Sequence, residues 1–408
     1  MTGFDPYHPD FLANPYPVYR RLLDESPVFH DESWGLTFFA AHRDVTTILK
    51  DRERFGRDFR HKLEIDDVDA DLYRRTYPPR WPTWTEYIRE SFIDLEPPRH
   101  TRLRRLVSAA FTRRSSEVFR PRLEAAADAI LDRVLDAGTI DVIGDYATPI
   151  PVAMIAELMG IPSDDHTQLL DWSHAIVKVF DQRVTNDEGE AAEQATRDFV
   201  AYLEDVVSQR RARPGEDLIS AMLDVDHMGD MLTESEIVAT SILTLNAGHE
   251  ATVHAIGNSL LALAGDPEAY GGLRRGDAPI SAVVDELLRY DSPLQMFERW
   301  VLANTEVGGH QLVAGTKVGL LFGAANHDPE VFSFPEKLDL SRHPNPHVSF
   351  GAGLHYCVGA PLAKVELEAA MGSWVERVTG FELVGTAERI ESLVFRGVGR
   401  LELSLSPA

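Results

Sequence analysis

The chain has 408 residues, 44% of them apolar and 26% charged, and its 40 basic against 65 acidic side chains leave a net charge of −25. Such a surface repels nucleic acid and anionic membranes, every long apolar stretch is broken by charge, and the N-terminus lacks the order of a signal peptide, so a DNA- or RNA-binding, membrane-spanning or secreted protein is not expected. A single cysteine excludes an internal disulfide and fits a reducing cytoplasm, while the length implies either two domains or one large, mostly helical one.

In chain order, PYPVYRRLLDE reads as a short helix, VFHD and LTFFA as strands, and HRDVTTILKD as a second helix. Residues 57–93 show no clear periodicity, and Trp81, Trp84, Tyr87, Ile88 and Phe92 crowd there, the mark of a functional loop. Next comes a basic segment, RHTRLRRLVSAAFTRR, with Arg99, Arg102, Arg104, Arg105, Arg113 and Arg114; it is either a solvated helix face or a docking patch for an acidic partner. Amphipathic runs at 116–137, 146–159, 164–181 and 189–212 predict helices separated by Gly, Pro and Asp.

LTESEIVATSILTLNAGHEATVHAIGNSLLALAGDP opens on a capping box, Thr233 and Glu236, and stops at Gly265-Asp266-Pro267. At 1.5 Å per residue such a helix reaches roughly 46 Å, and its nearly uniform apolarity predicts burial. Asn246, Gly248, His249 and Glu250 in its middle are costly there and need a reason. PISAVVDELLRYDSP places Glu286 and Arg289 on one helical face, and GGHQLVAGTKVGLLF reads as a hairpin before a Pro-rich meander. A helix over 361–377 and two strand-like segments end the chain.

The lone cysteine, Cys357, lies in HVSFGAGLHYCVGAPLAK. A lone cysteine is usually a small buried hydrophobe, yet Gly351, Gly353 and Gly359 free this backbone for sharp turns and close approach of a flat ligand. Pro361 starts a helix just beyond the sulfur, and the positive end of that helix favours a thiolate suited to a soft metal centre or haem iron.

Phe350-Gly351-Ala352-Gly353-Leu354-His355-Tyr356-Cys357-Val358-Gly359 resembles the haem-binding signature of the cytochrome P-450 family, Phe-x-x-Gly-x-x-x-Cys-x-Gly, at each fixed position. Glu286-Leu-Leu-Arg289 is similar to the family's Glu-x-x-Arg, His100 and Arg104 to its His-x-x-x-Arg, and Ala247-Gly248-His249-Glu250 to its long-helix motif, all in family order. The resemblance implies one domain over 1–408, mainly α with small β-sheets: β-rich at about 25–60 and 300–345, helical at about 95–290 and 355–378. It implies haem b held by the Cys357 thiolate, with Phe350, Gly359 and Ala247 against the haem and His100, Arg104, Arg299 and His355 neutralising its propionates. Glu286, Arg289 and, in the meander, Arg342 would form a structural ion-pair cluster.

The resemblance also implies a cytoplasmic, bacterial-type, monomeric monooxygenase acting on a hydrophobic small molecule, with electrons from a ferredoxin or flavodoxin docked on Arg102, Arg105, Arg113 and Arg114. The substrate segments of the family correspond to Trp84, Ile88, Phe180, Leu243, Asn246, Leu294, Met296, Phe297, Val394 and Phe395. In the catalytic group, Gly248, Glu250, Ala251 and Thr252, the chain departs from the family: Ala251 stands where the relay threonine is usual. Thr252 follows about 100° around the helix and is not expected to substitute directly. Water or a substrate hydroxyl would complete the relay to Glu250; a peroxide-driven peroxygenase and a non-turnover haem-thiolate sensor are the alternatives. His249 is expected to point away from the haem.

Overall fold

A computed structural model describes residues 4–108, 110–181, 183–224 and 231–407. The 31-residue helix Glu234–Ala264 forms its axis and begins where the sequence predicts. Thr233 Oγ1 accepts the Glu236 N–H at 3.2 Å, and the Glu236 carboxylate accepts the Thr233 N–H at 2.9 Å. Two free helical N–H groups are thereby satisfied reciprocally. Helices Pro149–Met159, His166–Val177, Asn186–Ala212, Ile280–Tyr290 and Ala360–Arg377 pack around it. Their apolar faces merge into the largest hydrophobic cluster, which contains Ile155, Phe199, Leu245, Val365 and Trp374.

Beside the helices, a five-stranded sheet runs Val28–Asp31, Leu36–Phe39, Lys317–Leu321, Met296–Val301, Phe55–Gly56. Leu36–Phe39 is parallel to Lys317–Leu321, and the other neighbours are antiparallel. A three-stranded sheet joins Thr139–Asp141 to the C-terminal strands Val378–Leu383 and Glu402–Pro407.

Two expectations change. GGHQLVAGTKVGLLF is not one hairpin: His310–Leu312 folds back on Thr305–Val307 through Gly308 and Gly309, while Lys317–Leu321 leaves for the large sheet. Strand-forming residues on both sides of a turn fix strands but not partners, and here the partner comes from Met296–Val301. Residues 57–93 are not irregular either, because helices Ala70–Thr76 and Pro82–Glu90 lie within them. Trp84 and Ile88, four apart, form the buried face of the second.

One window among the described residues, Val142–Met159, has the length and hydropathy to cross a membrane, but 61% of it is buried in the protein. It is the break near Thr148 and the core packing of Ile150, Met154 and Ile155 that this apolarity serves.

Candidate active site between the cysteine loop and the central helix

The cysteine loop is shaped by two left-handed glycines, Gly351 (φ +69°) and Gly353 (φ +71°). At Gly353 a Cβ would also come within 2.2 Å of the Leu49 carbonyl oxygen, so the position excludes a side chain twice over. Cys357 N–H donates to the Phe350 carbonyl at 2.9 Å, closing the loop below the helix Ala360–Arg377. The sulfur opens into a cavity whose other wall is the central helix at Ala247, Gly248, Ala251 and Thr252. Phe350, Gly351 and Gly359 line the cysteine side.

The expected pull of the helix end and its N–H groups on the sulfur is present, but it is opposed. Burial pushes the Cys357 thiol up, against the opposing pull of the Gly359 and Ala360 backbone N–H groups and the Arg104 cation. A bound metal's own charge is what deprotonates such a thiol.

Arg104, Arg299 and His355 line the cavity, whereas His100 is absent from its wall and stands behind His355, with 4.5 Å between their rings. Arg299 is 4% exposed, lies on the cavity wall and makes no ion pair among the described residues; burial, with help from Arg57, pushes its pKa down to about 9. His100 is fully buried with both ring nitrogens lacking a partner, and burial pushes its pKa down to about 4. Arg104 lines the cavity and donates to the Tyr356 carbonyl. His355 departs from expectation, because its Nε2 donates to Glu96 at 3.0 Å and only Nδ1 remains for a ligand. Glu96, which also accepts the Arg57 N–H at 2.7 Å, was not foreseen, since nothing local marks a loop carboxylate as a histidine's partner.

The strand Met296–Val301 explains which predicted pocket residues arrive. Side chains alternate, so Phe297 and Arg299 face the cavity, while Met296 and Trp300 enter the core beneath the sheet. Leu243, Asn246, Leu294 and Phe395 line the cavity as expected, and the Asn246 carboxamide oxygen is buried without a partner. Trp84, Ile88, Phe180, Met296 and Val394 are absent from its wall. Trp84 instead donates its indole N–H to the Ile176 carbonyl at 3.1 Å, with Phe180 against it at 5.6 Å between rings. The aromatic segment is drawn away because Trp81 fills the space over Gly189, where a Cβ would fall 1.6 Å from the ring. Phe92, expected with the aromatic segment, does line the cavity, and Phe111, Ile155 and Phe322 join it, side chains from separate elements with no shared sequence signal.

On the central helix, Gly248 borders the cavity, yet a Cβ there would meet Ile155 at 2.7 Å. The glycine therefore lets the central helix pack closely against Pro149–Met159 while it borders the cavity. Thr252 is the larger departure. Its hydroxyl donates to Glu366 Oε2 at 3.5 Å, and both residues line the same cavity. Burial raises the Glu366 carboxyl well above its ordinary range, against the opposing pull of the Thr252 hydroxyl, and so favours its protonated form. Glu366 was missed because a carboxylate in the amphipathic run LAKVELEAA reads as solvated. Burial also raises the Glu250 carboxyl, opposed by His174, whose Nε2 stands 3.3 Å from Oε1. His249 does not line the cavity: its Nδ1–H donates to the Leu245 carbonyl at 2.8 Å.

Away from the cavity, Glu286 and Arg289 are fully buried, bound twice at 2.8 Å, and Arg342 Nε reaches Glu286 at 3.0 Å. Asp339 N–H and Asn345 also donate to Glu286, at 3.0 and 3.1 Å.

An apolar slot with a cysteine on one wall, a helix on the other and buried cationic groups at its edge is the architecture of a haem-thiolate protein. The cytochrome P450 family profile matches residues 139–275 and 280–384, and the chain belongs to the cytochrome P450 family. It is 35% identical over 407 residues to the vitamin D(3) 25-hydroxylase of Pseudonocardia autotrophica, covering 97% of this chain and 95% of that protein. Identity to the polyketide biosynthesis cytochrome P450 PksS of Bacillus subtilis is 32% over 418 residues, covering 99% and 98%. The structure of P450BioI with a hexadec-9Z-enoic acid ligated acyl carrier protein superposes with a TM-score of 0.89 at 30% identity, covering 97% of this chain and all of that one. The family is built on haem b held by a cysteine thiolate, and its bacterial members are monooxygenases. The residues here fit that group: His100 and Arg299 are buried and lack anions that propionates would supply, and the sole cysteine faces the slot.

Proposed function

We propose that the protein inserts one oxygen atom from dioxygen into a hydrophobic small molecule, with electrons from a separate ferredoxin or flavodoxin. Cys357 would ligate the haem iron, with Phe350, Gly359 and Ala247 against the macrocycle. His100 and Arg299 would pair the propionates, assisted by Arg104, while His355, whose Nε2–H is taken by Glu96, would hold that carboxylate in place rather than donate to a propionate. Bound haem supplies the oxygen-activating and one-electron chemistry; the protein supplies position, dryness and protons.

Leu243, Leu294, Phe297 and Phe395 hold an apolar substrate, and the unpaired Asn246 carboxamide oxygen is the group able to accept a hydrogen bond from a substrate hydroxyl or amine. Ala251 brings no hydroxyl to the slot, so the proton path runs through Thr252. Burial favours the protonated Glu366, and Thr252, which donates to it in this arrangement, would accept that proton after its hydroxyl rotates and pass it on, with water completing the path. Glu250, beside the solvent-exposed His174, replenishes protons from outside.

The observation that carries this reading is the Thr252–Glu366 pair on the wall shared with Cys357, for a sensor or carrier has no use for a protonated buried acid there. The test is a reduced, carbon-monoxide-bound spectrum, followed by a spin-state screen of apolar ligands and product analysis with NAD(P)H, ferredoxin and reductase. Thiolate ligation and oxygenated product are expected; a thiolate spectrum with no product from any spin-shifting ligand would overturn the oxygenase reading.

A further inference from the structure

Three ligand-bearing side chains meet beside the cavity on the solvent side of Glu250. His174 Nε2 and His249 Nε2 lie 3.3 Å and 3.6 Å from Glu250 Oε1, and the three ligand atoms fall within 4.8 Å of one another. Zinc bonds of about 2.0–2.2 Å in tetrahedral array set ligand atoms roughly 3.3 Å apart, so little movement separates this arrangement from a metal site.

The tautomer is also right. A carbonyl can only accept, so the 2.8 Å contact to Leu245 places the His249 proton on Nδ1 and leaves the Nε2 lone pair toward Glu250. His249 is 2% exposed and Nε2 has no hydrogen-bond partner, nor has Glu250 Oε1. On the other carboxylate oxygen, His254 Nε2 stands at 3.6 Å and braces the group from behind. The side chain of His174 is 55% exposed, which provides an entry path and leaves a fourth position for water.

We propose that His174, His249 and Glu250 bind one borderline divalent cation of the Zn²⁺ or Cu²⁺ class, and that its occupation inhibits turnover by withdrawing Glu250 from proton supply. Two imidazoles and one carboxylate favour such ions over Mg²⁺ or Ca²⁺. The inhibitory half rests on the reading of Glu250 given above; the binding half does not.

Calorimetric titration of Zn²⁺ into chelator-treated, haem-loaded protein reads the binding half. One high-affinity Zn²⁺ per chain is expected, weakened roughly tenfold or more in His174→Ala. Unchanged binding in His174→Ala overturns the site and assigns the zinc to other histidines. As a second probe, Cu²⁺ electron paramagnetic resonance should show coupling to two imidazole nitrogens in the native protein and to one in His174→Ala. An identical signal in both overturns the site as well. Turnover is then compared with and without Zn²⁺. Inhibition of the native protein but not of His174→Ala supports the whole proposal, whereas zinc bound at His174 without inhibition removes Glu250 from the proton path and leaves the metal site standing.

Discussion

Thr252 donates its hydroxyl to Glu366 Oε2 at 3.5 Å, joining the central helix to the helix that follows the cysteine loop. Both residues are buried, and the second oxygen of Glu366 has no partner. A polar pair of this kind in an apolar core is costly unless it is used.

Replacing either member should uncouple the reaction. Thr252→Ala and Glu366→Gln are expected to lower product formed per NAD(P)H by about tenfold or more, within the range typical for loss of general acid catalysis. The carbon-monoxide spectrum should be retained, since both changes leave Cys357 itself in place. Ala251→Thr, in contrast, should change coupling by less than either loss. Measured product and peroxide per NAD(P)H decide; a large gain from Ala251→Thr would mean that the Thr252 path is not the working one.

Arg299 yields a prediction whose sign depends on the haem. In haem-free protein it is a buried cation with no ion pair among the described residues, and such a charge costs several kcal/mol. Arg299→Met should therefore raise the melting temperature of the apoprotein while speeding haem loss from the holoprotein. Scanning calorimetry on both forms and haem transfer to a scavenger protein read the two effects; a lower melting temperature of the apo variant would contradict the account.

Asp291 gives a pH dependence. Burial alone would raise its pKa, but Arg396 and Arg389, with a hydrogen bond from Tyr16 at 2.6 Å, hold it below the usual carboxylate range. A depressed folded-state pKa stabilises above the unfolded value of about 3.9 and loses that contribution as pH falls through the folded value. Asp291→Asn should destabilise by about 3–5 kcal/mol at pH 7, because the buried Arg396 and the partly buried Arg389 lose their anion. In denaturant titrations the gap between native and variant should narrow below about pH 4; a gap independent of pH would refute the assignment.

The basic patch needs its members re-sorted before it is tested. Arg102 is held by Glu236 at 2.6 Å, and Arg113 by Glu368 at 3.0 Å and Glu117 at 2.5 Å. Arg105 and Arg114 are exposed, and no carboxylate among the described residues pairs with them. Reversing these two to Glu is expected to slow ferredoxin-dependent reduction and flatten its salt dependence, as loss of steering charges does. Stopped-flow reduction at several ionic strengths checks this, and unaltered rates would place the donor elsewhere.

Much of the molecule was legible from local rules. The central helix is written in its capping box and apolar run, the cysteine loop in its glycines, and the Glu286–Arg289 pair in its three-residue spacing. Each is a short-range constraint, satisfied within a few residues of where it is encoded. The substrate wall was less legible: strand alternation sent Phe297 inward and Met296 away, and Trp81 over Gly189 drew Trp84 and Phe180 off the cavity.

By itself the sequence determined the family, the helical frame and the single thiol available to a haem, because motif spacing and periodicity act along the chain. Only the tertiary structure decided which polar groups are left without water. Burial raises the Glu366 carboxyl, leaves Arg299 without an ion pair among the described residues and brings His174 onto Glu250. Those properties come from residues dozens to hundreds of positions apart, and desolvation exists only once they have been packed together.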